Sequence, residues 1–461
     1  MHALLRALTA VLLLSLGAFS APQARAELIA ANHKTDTVYL HPLRNGLSAL
    51  TLVWPLGQVT EDRALALQAG LRSVLFGGTA SRSPQDVVEY IRVKGIRQSV
   101  STTRRHLLLT ITAPKEVFPE TLVHLENLLM EPTYTSGWYQ RERETVRYAH
   151  ATLSRNPDDV RAELQGYLSH QAGEADPAEL GPTFRFGRPS QAILRSGDPV
   201  VEQRLAKLLS KLSQPAISVR ITLPKWLESR LDRKRFPFEL PTGTIHFQDP
   251  TSSEMLIILA RAEVFEDEPQ MVGANLLMNH IGASANSDMF RILRQEMRAS
   301  YDPRSYFDIV DKNRAVLLLS ATVKADNWPR IYDEIGEIYQ STHSGNVPTS
   351  ILTLLHQDAQ KLFIERFFHN PIWSVNQLLR EFPNGVKGNV VLPIIDAIDD
   401  ASPRDIIANA DSHLPPLDDY LLILIGGGPD PTAELRANGY CTLPPNTPLK
   451  HCLTQLATVA N

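Results

Sequence analysis

The chain repeats itself, and a repeat restricts a fold more than any single motif can. Leu47 to Trp54 is a short apolar, β-prone run. It is followed by Val59-Thr60-Glu61-Asp62 and a helix-like stretch from Ala64 to Phe76. Met255 to Ala260 is a second such run, followed by Val264-Phe265-Glu266-Asp267 and a helix-like stretch from Gln270 to Ile281. The offset is constant, 264 − 59 = 205, and Leu71 pairs with Leu276 at the same spacing. Asp62 and Asp267 both fall where an N-cap belongs.

The correspondence runs on with a slowly growing offset. Leu107 to Thr112 and Val316 to Thr322 are both strand-like, each followed by a lysine, Lys115 and Lys324, now 209 apart. Helix-periodic segments follow, Thr121 to Met130 and Ile331 to Tyr339. Long polar helices then end near Asn156-Pro157 and Asn370-Pro371, an offset of 214. Strands and helices are mixed without strict alternation, which favours an α+β fold of two tandem homologous layered domains. The Arg/Lys/Pro-rich stretch from Trp226 to Thr244 reads as the linker. The expected division is 1–26, 27–225, 226–244 and 245–461.

Residues 1–26 read as a cleaved secretory signal. His2 and Arg6 form a short n-region, Ala7 to Phe19 is apolar, and Ala24-Arg25-Ala26 places small residues at −3 and −1. The apolar run is too short to span a bilayer, and no second run reaches about 18 residues, so no stable membrane insertion is expected. The localisation expected is periplasmic. The whole chain carries 46 basic and 50 acidic residues, net −4. The signal holds two arginines and no acid, so removing it leaves 44 against 50, net −6. That balance argues against nucleic acid as a partner, and the stretch Arg230 to Arg235 reads as solvated linker. The only cysteines, Cys441 and Cys452, lie eleven apart in a Pro-rich tail, and in an oxidising compartment they read as a disulfide. A metal site there would have His451 as third ligand and lacks a fourth.

Other chemistry is sparse. No His-Glu-x-x-His, His-x-x-Glu-His or Cys-x-x-Cys occurs, and the 14 histidines are scattered. Gly426-Gly427-Gly428 lacks the Lys and Ser/Thr of a phosphate loop and reads as a strand-to-loop turn. Gly282-Ala283-Ser284-Ala285-Asn286 follows a helix and ends in Asn, so it is not a nucleophile elbow.

Short segments in order carry a resemblance. These are Arg44-Asn45-Gly46-Leu47, Leu75-Phe76-Gly77-Gly78-Thr79, Ser81-Arg82-Ser83 and Glu142-Arg143-Glu144-Thr145-Val146. With the two α+β halves they resemble the pitrilysin/insulinase metallopeptidase family, which includes the mitochondrial processing peptidase subunits. The resemblance implies metallohydrolase-like halves over most of the chain. Active members carry His-x-x-Glu-His just before Leu-Phe-x-Gly-Thr, supplying two zinc ligands and a general base. Counting back from Thr79, those places hold Ala69, Arg72 and Ser73, and the distal Glu ligand falls near Ala149, beside His150. The resemblance therefore implies a first half that has lost its zinc site.

In the second half, Ser287-Asp288-Met289-Phe290-Arg291-Ile292-Leu293-Arg294-Gln295-Glu296 leads to Tyr301, seven residues after Arg294. By resemblance these are the family's Arg/Tyr pair, which binds substrate backbone and steadies the tetrahedral oxyanion. A guanidinium and a phenol are suitable donors for that charge. Asp288 departs from the usual Arg, and Arg298 replaces the Gly before the Tyr. The segment Met289 to Met297 reads as a helix bearing Arg294.

Family resemblance implies a periplasmic accessory subunit, inactive alone and binding no cofactor itself. It would supply Arg294 and Tyr301 in trans to a zinc-bearing homologous partner that acts on peptide substrates. A degenerate member serving as a non-enzymatic scaffold or peptide-binding protein is the alternative. An active metallopeptidase with unorthodox ligands such as His150 is a third reading.

Overall fold

A computed structural model describes residues 32–34, 37–56, 61–103, 105–133, 136–151, 156–169, 188–212, 238–382, 393–444 and 447–459. The signal segment 1–26 lies outside them, as do residues 226–237 of the linker. Among the described residues, two six-stranded sheets carry the fold. The first consists of β1 (Asn32–Lys34), β2 (Thr37–Tyr39), β3 (Leu47–Pro55), β4 (Arg97–Thr102), β5 (His106–Pro114) and β6 (Gln191–Arg195). The second consists of β7 (Gly243–Gln248), β8 (Glu254–Val264), β9 (Arg304–Asp311), β10 (Arg314–Lys324), β11 (Leu421–Gly426) and β12 (Tyr440–Leu443).

The repeat read from the sequence is a repeat of topology. Sheet order β2-β6-β3-β5-β4 in the first half matches β7-β11-β8-β10-β9 in the second. Directions match too: β2 runs parallel to β6 and β7 to β11, and the remaining neighbours are antiparallel. Only the sixth strand differs, β1 pairing antiparallel to β2 and β12 parallel to β7.

Helices of eight or more residues in the first half are α1 (Glu61–Phe76), α2 (Pro84–Lys94), α3 (Phe118–Met130), α4 (Ser136–Ala151), α5 (Pro157–Ser169) and α6 (Pro199–Leu212). Those of the second are α7 (Glu268–Met278), α8 (Trp328–His343), α9 (Thr349–His369), α10 (Pro371–Glu381), α11 (Pro393–Asp400) and α12 (Lys450–Val459). Asp267 caps α7, accepting from the Gln270 amide at 2.9 Å. The first half does not repeat this. Its helix begins at Glu61, which puts Asp62 inside the first turn instead of ahead of it.

Alternation along the strands sends side chains to two different cores. In the first sheet, Leu50, Leu52, Leu107, Leu109, Ile111 and Leu194 face a core built with α1, α3 and α6. The other face presents Val38, Val53, Leu108 and Ile193, which pack in one cluster with Phe367, Phe368, Val375 and Leu378 of the second half's α9 and α10. The second sheet is covered reciprocally. Ile245, Phe247, Ile258 and Leu318 pack with Val160, Leu164 and Leu168 of the first half's α5, and with Leu453 and Leu456 of α12. Each half lends a helix to the other's sheet.

At this second face Arg161 of α5 forms a bidentate pair with Asp308 of β9, at 2.7 and 2.6 Å, and lies 4.1 Å over the Tyr306 ring. Phe238 and Leu240 are buried in the same core and β7 starts at Gly243, so the end of the linker segment already belongs to the second sheet. Cys441 of β12 and Cys452 of α12 are joined by a disulfide, with Cα atoms 5.7 Å apart. Among the described residues no helix is long and apolar enough to cross a membrane.

Candidate functional site

The three positions that should hold a catalytic zinc lie along α1, where residues four apart share a face. Ala69 is fully buried and packs against Tyr139 and Val146 of α4. Ser73 is also buried, and its hydroxyl donates to the Ala69 carbonyl at 2.7 Å, one turn back in its own helix. Arg72 donates through Nε to Glu142 of α4 at 2.8 Å, and its guanidinium lies 5.3 Å from the Phe76 ring centre. A methyl, a hydroxyl turned to its own backbone and a paired guanidinium do not fit a zinc ion. Ala149 lies on the backbone of α4, but its side chain and that of His150 are outside the described ones. Among the described residues no group of three or more His, Cys, Asp or Glu could hold a metal ion.

Glu142 is the partner that residue-by-residue reading missed. It stands in the quoted Glu-Arg-x-x-Val segment, so the signal was present, but only folding shows that it faces Arg72. Leu75-Phe76-Gly77-Gly78-Thr79 ends the same helix. A Cβ on Gly77 would sit 2.3 Å from the Ser73 carbonyl, and Gly78 adopts φ +94°, so both glycines serve the tight exit from α1.

The second half shows the Arg/Tyr segment in unusual backbone. After α7 the chain passes into a π-helical turn, Asn279–Ala283, and then into a second, Phe290–Glu296, where an α-helix was expected. Such turns widen the backbone by one residue and re-aim side chains. Ser305 of β9 reaches the first of them, donating from its hydroxyl to the Met278 carbonyl at 2.5 Å.

Arg294 and Tyr301 are brought together. Arg294 Nη1 donates to the main-chain carbonyl of Tyr301 at 2.7 Å, and its guanidinium lies 4.9 Å from the Phe290 ring centre. The Tyr301 side chain is 86% exposed. Arg294 thus clamps the loop from which the phenol projects. Two amides, Ala299 and Ser300, donate to the Leu293 carbonyl, at 2.8 and 3.3 Å. Asp302 ties the loop to β10 by accepting from the Thr322 amide and hydroxyl, each at 3.3 Å. Arg298 takes φ +52°, the left-handed region, where a glycine would be unstrained.

Asp288, found where an arginine was expected, is engaged locally. It lies 3.2 Å from Arg291 and 3.3 Å from the buried His280, and Arg291 also meets Glu296 at 2.6 Å. Burial pulls the His280 pKa below the ordinary histidine range, with the Asp288 carboxylate opposing it.

Residues 67–175 match the model of the insulinase family, peptidase family M16. Among solved structures, the chain is similar to a peptidase M16 inactive domain from Pseudomonas fluorescens, with TM-score 0.62 and 12% identity, covering 86% of this chain and 97% of that one. A protease from Helicobacter pylori gives TM-score 0.60 at 12% identity, covering 85% and 97%. A ferredoxin protease in complex with Arabidopsis ferredoxin gives TM-score 0.55 at 14% identity, and this chain covers 44% of it. Comparison with curated protein sequences finds no match. Residues 67–175 are thus similar in sequence to the insulinase family, and the chain shares the fold of the peptidase M16 inactive domain, with Ala69, Arg72 and Ser73 where zinc-binding residues would stand.

Proposed function

We propose that this chain is the non-catalytic subunit of a periplasmic metallopeptidase complex. Arg294 and Tyr301 would be presented to substrate bound at a homologous, zinc-bearing partner. The observation that carries the reading is a pairing of loss and retention. Ala69, Arg72 and Ser73 cannot hold zinc, while an exposed Tyr301 phenol is held on a loop clamped by Arg294. A phenol and a guanidinium near a developing oxyanion stabilise it as hydrogen-bond donors. The ferredoxin protease, about twice as long, supports a division of labour in which one chain of this size is half of an enclosing enzyme.

In this reading zinc resides on the partner and peptides are the substrates. The test is to purify the chain from periplasm, identify what accompanies it, and assay oligopeptide cleavage alone, with the partner, and with chelator. The chain alone should be inactive, and the pair active only without chelator. Chelator-insensitive cleavage by the lone chain would overturn the reading.

One observation favours the scaffold alternative. Arg294 already has a main-chain partner in Tyr301, so a purely structural role accounts for its placement. On that alternative, replacing the Tyr301 phenol leaves the activity of any complex unchanged.

A further inference from the structure

A cavity of about 470 Å³ opens among α7, β9, α9, α10 and α11, and neither the Ala69 face of α1 nor the Tyr301 loop lines it. That volume falls within the span of small-molecule sites, about 300–1,000 Å³. On α9 the lining residues are Ala359, Leu362, Phe363 and Arg366, spaced as one face of a helix. Leu362 is 48% exposed, so the rest of the fold covers this apolar face only in part. Phe363 meets Trp373 of α10 edge-on, with ring centres 4.9 Å apart, and Phe307 of β9 adds a third aromatic side chain to the walls.

Two charged residues line the cavity among the described ones, and only Asp308 is committed, to the bidentate pair with Arg161. Arg366 is exposed and makes no hydrogen bond or ion pair among the described residues. A free guanidinium against apolar walls suits a single carboxylate carried on an apolar body. Asn275 and Asn279, one helical turn apart, add a further requirement. Asn279 Nδ2 donates to Asn275 Oδ1 at 3.3 Å, which leaves one amide donor and one amide acceptor of the pair unbonded. Both side chains are half-buried, and neither leftover atom is sealed from solvent. A neighbouring donor and acceptor complement the C=O and N–H of a peptide group, whereas the hydrocarbon chain of a fatty acid offers them nothing. Apolar body, carboxylate and peptide group together describe the C-terminal end of a peptide that finishes in an apolar residue.

We propose that this cavity binds such a peptide end, with the terminal carboxylate on Arg366, the last side chain against Phe363 and Trp373, and the preceding peptide group on Asn275 and Asn279. The site needs neither zinc nor a partner chain, so it goes beyond the subunit role proposed above and is tested apart from it. Titration calorimetry on the full chain compares acetyl-leucyl-phenylalanine, its C-terminal amide, and octanoate. The free acid should bind. The amide should bind at least about tenfold more weakly, the effect of losing one charge-assisted hydrogen bond, and octanoate should fall behind by a similar factor for want of a peptide group. Arg366→Gln, a change at an exposed position, should lower the affinity of the acid about tenfold, to that of the amide, and leave the amide where it was. No heat with the acid, equal affinity for acid and amide, or unchanged acid binding in Arg366→Gln would each overturn the proposal. Octanoate binding as tightly as the acid would overturn it too, in favour of a fatty-acid site.

Discussion

Backbone strain at Arg298 is the clearest residue-scale departure. A non-glycine residue in the left-handed region costs about 1–2 kcal/mol, and glycine there carries an unfolded-state entropy penalty of about 0.5–1 kcal/mol. Arg298→Gly should therefore stabilise the chain by about 0.5 kcal/mol, read as a raised denaturant midpoint at unchanged slope. A clear destabilisation would show that the arginine side chain has a role that the strain supports.

His124 makes the second residue-scale prediction. Burial, with the Arg82 cation adding to it, lowers its pKa from 6.5 to about 4. The ring stacks beside Tyr90 at 4.6 Å between centroids and its Nε2 has no partner among the described residues. As pH falls below about 6.5 the unfolded chain takes up this proton, and the folded chain does not until about 4. Stability is therefore whole above neutrality and drains away across that window, by at most about 3 kcal/mol. Urea unfolding at stepped pH should show the loss, and His124→Gln should flatten it. His246, His280 and His413 are lowered by burial too and push the same way.

At the scale of elements, the exchange of α5 and α10 between halves decides which contacts matter. Arg161 holds α5 to β9 through two short bonds to Asp308, and both side chains are largely buried, 24% and 15% exposed. Burial works against the Arg161 charge, but Asp308, together with Asp158 and Tyr306, outweighs it and raises the pKa. Removing the guanidinium strands a carboxylate, so Arg161→Met should cost about 2–4 kcal/mol, the partial exposure placing it below a fully buried pair. Thermal denaturation of the double variant Arg161→Met/Asp308→Leu should recover part of that loss. A single variant within about 0.5 kcal/mol of the parent would mean that α5 is held by its apolar face alone.

Much of the element pattern could be read in advance because the strands and helices follow from local signals repeated at a near-constant offset, and the Asp267 cap is a local signal of its own. The loss of ligands at Ala69, Arg72 and Ser73 was also readable, being a matter of side-chain chemistry. The exchange of helices was not. Val160, Leu164 and Leu168 form an apolar stripe with no mark of whose sheet they cover. The π-helical turns at 279–283 and 290–296 likewise look helical in sequence, and only Gly282 hints at the change: a Cβ there would lie 2.5 Å from the Ser305 amide. Nor could Arg294 be seen to grip the carbonyl of Tyr301, since the seven-residue spacing speaks only of side chains.

For the whole molecule, reciprocal covering means that one face of each sheet is packed in part by a helix of the other half. Withdrawing Val160, Leu164 and Leu168 from the second sheet alone exposes about 6 kcal/mol of apolar burial, comparable to the net stability of a typical protein. The two halves should therefore unfold in one transition, with calorimetric and van't Hoff enthalpies equal. Two separated transitions would show that each half stands alone despite the shared helices.

The anchoring of one loop bears on function, because Arg294 and Asp302 hold the segment from which Tyr301 projects. The central claim, that this zinc-less chain completes a partner's active site, is tested most directly by the kcat of the reconstituted pair with Tyr301→Phe. The chain predicts a fall of about 10²- to 10³-fold with the complex still assembled, the usual effect of removing one oxyanion donor. A kcat equal to that of the unaltered pair would contradict it and leave Tyr301 an ornament of the surface.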